Sequence, residues 1–368
     1  MDLLDSKEKH KTVKEEENDD FDSSVLSACR LRSSQIFSAA LNAAIELNLF
    51  DFIAEEGERH VSASEVARRL PSSCQHRDLS SRIDRLLRLL ASHSLLDCRV
   101  CEKKEEEKDG STERLYALSS IGRQFVSGSL GFVPIFSHPA LMQAWINFKD
   151  AIIDEDSDLF KKVHGMPMYQ YAKTDPTWNK TFNKAMANFC SMEMKRILEI
   201  YEGFEGISTI VDVGGGTGQN LKMIVSKYPS IKGVNFDLPQ VVQNAHSIPG
   251  IEHVGGDMFE SVPKGDAMIL KAVCHNWSDE NCIKVLKKCH ESLPEKGKVM
   301  VVEFIMPEAN MATEEAKYVS TLDNLMFLHD GRERTEKEFE SLCKNSGFSS
   351  FKVACRAFSA LGVMEFCK

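Results

Sequence analysis

The densest run of glycine in the chain, Gly214-Gly215-Gly216-Thr217-Gly218, follows the apolar stretch Thr209 to Val213 and precedes a stripe of Leu221, Ile224, Val225 and Tyr228. Residues without a β-carbon, set between a strand-like run and a helix-like stripe, mark a tight strand–turn–helix corner. The alternation continues downstream. Lys232 to Asp237, Ile251 to Val254, Ala267 to Val273 and Lys298 to Ile305 read as further strands, and Pro239 is placed to open a helix after the first of these. Cys282, Val285, Leu286, Cys289 and Leu293 stripe a helix between the last two. Strands alternating with helices call for a parallel sheet covered on both faces, so from about Gly206 the chain is expected to form a doubly wound, Rossmann-like α/β domain.

The glycine turn also constrains the ligand. A dinucleotide-binding Gly-x-Gly-x-x-Gly motif fails here, because the position three residues after Gly216 is Gln219. An acidic residue followed by Gly-x-Gly-x-Gly suits a nucleoside whose far end carries an amino acid instead of phosphates, which is S-adenosylmethionine (SAM). Such a ligand needs a carboxylate at the end of the second strand for its ribose hydroxyls, and Asp237 occupies that place. Beyond the third strand, Asp257 and Met258 offer a carboxylate and a thioether for an adenine edge and face. The fourth strand delivers Lys271, Cys274, His275, Asn276 and Trp277 to the carboxyl edge of the sheet, where open α/β sheets bind ligands.

The first third of the chain is organised differently. Residues 1–22 are dominated by Lys, Glu and Asp and read as a solvated tail. Residues 23–125 read as a mainly helical domain: a helical pattern from Ser24 to Leu49, then a capping box at Ser62-Ala-Ser-Glu65 opening a helix closed by Pro71. A further helix carries Ile83, Leu86, Leu87 and Leu90 on one face, and a hairpin follows about the charged stretch Glu102 to Glu113. That is the outline of a winged helix. Arg82, Arg85 and Arg88 lie outside the apolar face and would suit a DNA-binding regulator. Against this, 55 acidic residues outweigh 45 basic ones, and the wing tip holds Glu102, Glu105, Glu106 and Glu107. Subunit pairing is the expected role, with no nucleic-acid partner. Residues 126–368 join a helical pocket segment, containing Trp145, Phe148, Trp178, Phe182, Met186 and Phe189, to the α/β domain. No apolar run reaches membrane-spanning length and the N-terminus is charged, so a cytoplasmic protein without a membrane partner is expected. The odd count of eleven cysteines suits a reducing compartment, and Cys98-Arg-Val-Cys101 is read as part of a strand and not as a metal site.

A histidine at a strand end becomes a base only with partners. Glu303 lies in the apolar run Val299 to Ile305, where an unpaired charge would cost several kcal/mol, and is read as standing at the strand's end. Glu333 lies in Asp330-Gly-Arg-Glu-Arg334, just before a second capping box, Thr335-x-x-Glu338. Taken together, Val211 to Gly218, Asn235-Phe-Asp-Leu-Pro239, Val254-Gly-Gly-Asp-Met-Phe259, Cys274-His-Asn-Trp-Ser-Asp-Glu280 and Arg332-Glu-Arg-Thr335 resemble the plant small-molecule O-methyltransferases of the caffeic acid type. The resemblance covers nearly all of the chain after the tail. It implies a SAM-dependent enzyme methylating a hydroxyl of a small aromatic acceptor, and a homodimer built on the N-terminal domain with each pocket partly closed by the partner chain. It further implies His275 as general base bracketed by Glu303 and Glu333, with SAM held by Gly214, Asp237, Asp257, Met258 and Lys271. Transfer from an already activated sulfonium methyl requires positioning and proton removal, and no metal.

Departures from the family pattern gather around the acceptor. Asn276 stands where an Asp is usual, Ile135-Phe136 where the caffeic acid enzymes have Met-Asn, and Phe189-Cys190 replaces a polar pair. The segment from Leu325 to Glu333 is shorter than the usual loop. Phe182, Met186 and Met326 match family pocket positions, and with Asn276 they are the expected acceptor contacts. Two alternatives share the scaffold: methylation of an aryl amine nitrogen, and a relative that binds SAM without turnover.

Overall fold

The computed structural model describes residues 21–102, 112–127, 135–155, 158–309 and 312–368, which divide into two compact units at Ser137/His138. The expected tail lies largely outside the described residues; its last two positions, 21 and 22, begin a helix that runs to 32.

In the first unit the long N-terminal helix of the sequence reading is broken. Residues Ser34–Glu46 form one helix and Leu49–Ala54 another, because Asn48 between them takes a left-handed conformation (φ 54°) that ends helical hydrogen bonding. Asn tolerates this region better than most residues, a local property that hydrophobic spacing does not report. The capping box forms as expected: Ser62 Oγ accepts from Glu65 N and Glu65 Oε2 accepts from Ser62 N, opening the helix Ala63–Arg69. The helix Leu79–Ser92 buries Leu79, Ile83, Leu87 and Leu90 while Arg82, Arg85 and Arg88 remain exposed. A three-stranded sheet accompanies the helices, with β1 (Val61–Ser62) and β2 (Leu96–Glu102) both antiparallel to β3 (Thr112–Leu118). The acidic wing tip lies outside the described residues beyond Glu102. Cys98 and Cys101 are exposed thiols on β2, and all eleven cysteines are free.

The second unit is built on a sheet of β4 (Thr209–Val213), β5 (Lys232–Asp237), β6 (Ile251–Gly255), β7 (Ala267–Lys271), β8 (Lys298–Met306), β9 (Arg334–Thr335), β10 (Ser350–Ala357) and β11 (Leu361–Cys367). The order is β10-β11-β8-β7-β4-β5-β6, with β9 added to β8. Strands β4 to β8 pair in parallel and β10 and β11 run antiparallel to their neighbours. Two apolar layers cover it, and the period of two sorts side chains between them. Val211, Val213, Val299, Val301 and Ile305 pack with the helices Asp279–Ser292 and Glu336–Asn345, whereas Ile210, Met300 and Val302 pack with Pro176–Ile200 and Gln219–Lys227. Chain order reverses at β4, which has β5 on one side and β7 on the other, so a crevice opens where their carboxyl ends diverge. Among the described residues no helix is long and apolar enough to cross a membrane.

Candidate active site

The glycine turn leaves β4 with Gly214, Gly216 and Gly218 all in left-handed backbone, at φ of 76°, 59° and 87°. A β-carbon on Gly215 would lie 2.3 Å from Asn235 Oδ1 and 2.7 Å from the Asp212 carboxyl carbon. The turn is thus shaped by what it cannot carry. Asp237, at the carboxyl end of β5, accepts from Gly216 N through Oδ2 (2.8 Å) and from Leu238 N through Oδ1 (2.7 Å), which fixes its carboxylate against the turn. Asp257 Oδ1 accepts from Phe259 N at 2.8 Å, and Met258 packs at the edge of the sheet's apolar layer. Asp212 is fully buried beneath the turn. Burial raises its carboxyl to about 7, against a lowering hydrogen bond from Asn220.

Strand β7 ends at Lys271, two residues earlier than its apolar run predicts. Ala272 adopts φ 55° and turns the chain into a 3-10 turn, Cys274–Asn276. A left-handed non-glycine residue is a small reservoir of strain of the kind that gathers at functional turns. Glu303 is not at the end of β8 as read from sequence; it lies within the strand, on the layer shared with Val299, Val301 and Ile305. Its Oε1 accepts from the backbone N–H of Val273 (2.9 Å) and Cys274 (2.7 Å), so the buried carboxylate also anchors the turn.

His275 Nδ1 lies 3.1 Å from Glu333 Oε1 and 3.6 Å from Glu303 Oε2, with both carboxylates about 1% exposed and the imidazole 17%. Burial alone would make the ring less basic; the two carboxylates overcome it and raise His275 to about 9. Burial raises Glu303 as well, against the lowering effect of the nearby imidazolium. With Nδ1 engaged, Nε2 has no hydrogen bond to any described residue and is the atom left for a ligand. The three side chains bring donor atoms within 4.8 Å of one another, a spacing that would also hold a cation. A ring that keeps its proton up to about 9 competes with such an ion at neutral pH.

The segment after the Glu314–Leu325 helix closes over this turn. Arg332 N donates to His275 O at 2.8 Å, and the wholly buried Arg334 donates to Cys274 O (2.7 Å) and Trp277 O (2.5 Å) and pairs with Asp279. Gly331 approaches so closely that a β-carbon there would stand 2.4 Å from His275 O. His329 Nε2 lies 2.6 Å from Asn276 Oδ1, while Asn276 Nδ2 donates to Ala272 O at 3.1 Å. That second bond fixes which way the amide faces, so His329 donates through Nε2–H. Burial lowers His329 to about 4, and it is neutral at physiological pH.

Three separate stretches therefore converge on the His275 imidazole and its turn. A family model for the O-methyltransferase domain matches residues 145–349. The chain belongs to the O-methyltransferase family. A second model, the O-methyltransferase dimerisation domain, matches residues 29–128 of this methyltransferase, the part through which it forms its homodimer. A caffeic acid 3-O-methyltransferase of Catharanthus roseus is 46% identical over 98% of both chains, and an esculetin O-methyltransferase of Kitagawia praeruptora is 46% identical over 93% of this chain and 94% of its own. Among solved structures, the SAH-bound calicheamicin methyltransferase CalO1 superposes with TM-score 0.75 at 24% identity, covering 94% of this chain and 98% of its own. Human N-acetylserotonin methyltransferase in complex with SAM gives 0.72 at 21%, covering 93% and 97%. These last two show the shared fold. The methyltransferase uses SAM as its methyl donor.

Of the expected site residues, the structure brings His275, Glu303 and Glu333 together and sets the Asp237 carboxylate against the turn that begins at Gly214. Lys271 has a partner that the sequence did not announce, since its ammonium is ion-paired with Glu193. Phe182 packs against Trp178, Met326 is buried and Met186 is 41% exposed. Sequence reading passed over Glu193 and gave Arg334 no role. Glu193 left a trace, being a charge on the helix face that also carries Met186, Cys190 and Ile197.

Proposed function

We propose that this methyltransferase transfers the methyl group of SAM to a phenolic hydroxyl of a small, phenylpropanoid-like aromatic, with His275 as general base, in the cytosol. The observation that carries the reading is the His275 imidazole with Nδ1 held by Glu333 and Glu303 and Nε2 left open. When bound, SAM supplies a sulfonium methyl already activated for in-line displacement. The protein's task is to position the hydroxyl and remove its proton. The ring first loses the Nε2 proton while keeping Nδ1–H on Glu333, then accepts the phenol's proton at Nε2. The carboxylates that raise its basicity stabilise the imidazolium so formed. A phenol near pKa 10 matched to a base near 9 makes that transfer close to even, where an ordinary imidazole near 6.5 would face a steep uphill step.

Gly214, Asp237, Asp257, Met258 and Lys271 are assigned to the cofactor and Phe182, Met186, Asn276 and Met326 to the acceptor. The same reading takes residues 1–22 as a tail, 23–125 as the dimerisation domain and 126–368 as the catalytic part. The names of the plant relatives support the phenolic acceptor, and the free cysteines support the cytosol. Asn276 bonded to a neutral His329 presents no charge to the acceptor, which favours an aromatic lacking an ionisable neighbour to the reacting hydroxyl. The test is transfer of labelled methyl from SAM to a panel of phenols, methoxyphenols, catechols and aryl amines, comparing wild type with His275→Ala. Label on a phenolic oxygen, lost in the variant by about a hundredfold or more, is the expected result. Label appearing only on aryl amines, or retained in the variant, overturns it.

A further inference from the structure

Lys271 ends β7 on the sheet layer packed by the Pro176–Ile200 helix, and its Nζ meets Glu193 Oε2 of that helix at 2.5 Å. The side chains are only 5% and 11% exposed. A buried ion pair contributes little net stability compared with an apolar pair of the same volume, so its presence at the carboxyl edge of the sheet asks for another reason. The charges nearby supply one. Beside the pair stand the carboxyl groups of Glu303 and the fully buried Asp212, and the Lys271 ammonium is felt at His275, whose affinity for a proton it reduces.

SAM and its product S-adenosylhomocysteine differ by one methyl and one positive charge, both at a single sulfur. We propose that Glu193 is a positioning residue that neutralises Lys271 in the floor of the cofactor crevice, so that the site accepts the sulfonium of the donor as well as the neutral thioether of the product. An unpaired ammonium there would repel the sulfonium and spare the thioether, biasing the site toward its own product. The proposal rests on the SAM-dependent reading and on Lys271 lying along the cofactor crevice. It assigns Glu193 no contact with the cofactor; its effect runs through Lys271.

The two ligands test the idea against a simple packing role, because loss of packing weakens both alike. Calorimetric titration of SAM and of S-adenosylhomocysteine into wild type, Glu193→Gln and the double variant E193Q/K271M gives the ratio of their Kd values. In Glu193→Gln, SAM is expected to weaken relative to S-adenosylhomocysteine by about tenfold or more, the scale of one uncompensated charge in a partly desolvated site. The double variant, lacking both charges, is expected to return the ratio to near its wild-type value even where both affinities fall, and Glu193→Asp, which keeps the charge, to preserve it. Glu193→Met asks the same question should the glutamine variant fail to fold. Equal weakening of both ligands in the single variant, or an altered ratio that the double variant does not restore, overturns the proposal. Wild-type protein that binds neither nucleoside overturns the cofactor reading along with it.

Discussion

The basicity of His275 has a direct kinetic signature. A ring that titrates near 9 is neutral in only about one molecule in a hundred at pH 7, and the neutral form is the one that accepts a proton. With SAM saturating and acceptor below KM, kcat/KM is therefore expected to climb about tenfold per pH value from 7 toward 9 and then level off. Glu333→Gln removes a charge whose oxygen lies 3.1 Å from Nδ1. At that separation a unit charge is worth roughly 5 kcal/mol at an effective permittivity of 20, and 1.4 kcal/mol is tenfold in a proton affinity. The rising limb should move toward neutrality by at least about one pH value, and the plateau should fall because the imidazolium formed on proton transfer loses a stabilising neighbour. Opposite effects on limb and plateau distinguish an electrostatic role from general damage. The assay is the initial rate of labelled methyl transfer between pH 6 and 10, with two phenols of different acidity. Each phenol's own ionisation moves its limb with the acceptor, whereas the limb of His275 stays fixed. Comparing both proteins at the same saturating SAM cancels the influence of the cofactor's charge. A wild-type profile flat from pH 7 to 9, or a variant limb that coincides with that of wild type, refutes the assignment.

Gly331→Ala would drive a β-carbon to within 2.4 Å of His275 O and push the catalytic turn out of place, so kcat is expected to fall about a hundredfold with SAM affinity near wild type; unchanged kcat would show the turn to be tolerant. Glu365 accepts from Tyr201 Oη, Lys298 Nζ and Lys352 Nζ, and these bonds outweigh its burial and hold it at about 2, below its ordinary 4.5. Its folded-state value lies below the unfolded one, so its stabilisation is complete above about 4.5 and is lost as pH falls through 2. That amounts to roughly 3 kcal/mol, and urea unfolding of Glu365→Gln should show a correspondingly shallower loss of stability between pH 5 and 2.

The parallel sheet and the glycine turn were legible in sequence because both rest on local rules: a strand's period of two, a helix's stripe and a corner without β-carbons. The ends of elements were less legible. Asn48 and Ala272 take left-handed backbone, which hydrophobic spacing does not encode, and so the N-terminal helix breaks and β7 stops early. Glu303 could be nominated because a charge in an apolar run demands a partner, and Glu333 from its place before a capping box, but not which atoms they would share; that depends on β9 adding to β8 in parallel, with Ile305 opposite Arg334. Arg334 and Glu193 passed unassigned for a related reason. Each satisfies groups far away in sequence, Arg334 the carbonyls of Cys274 and Trp277 and Glu193 the ammonium of Lys271, and such non-local pairing has no periodic signature.

The closure over the catalytic turn is fastened at its two ends, by the 3-10 turn Met326–Leu328 at one and by Arg332 and Arg334 at the other. Between them Gly331 N returns to Met326 O, so the intervening residues form a loop stitched shut at its base. His329 within it bonds Asn276 beside His275, so a change in this loop reaches the turn through that bond and through Gly331. Substitutions between Met326 and Gly331 that keep the His329–Asn276 bond are accordingly the ones expected to alter the surroundings of His275 without moving it.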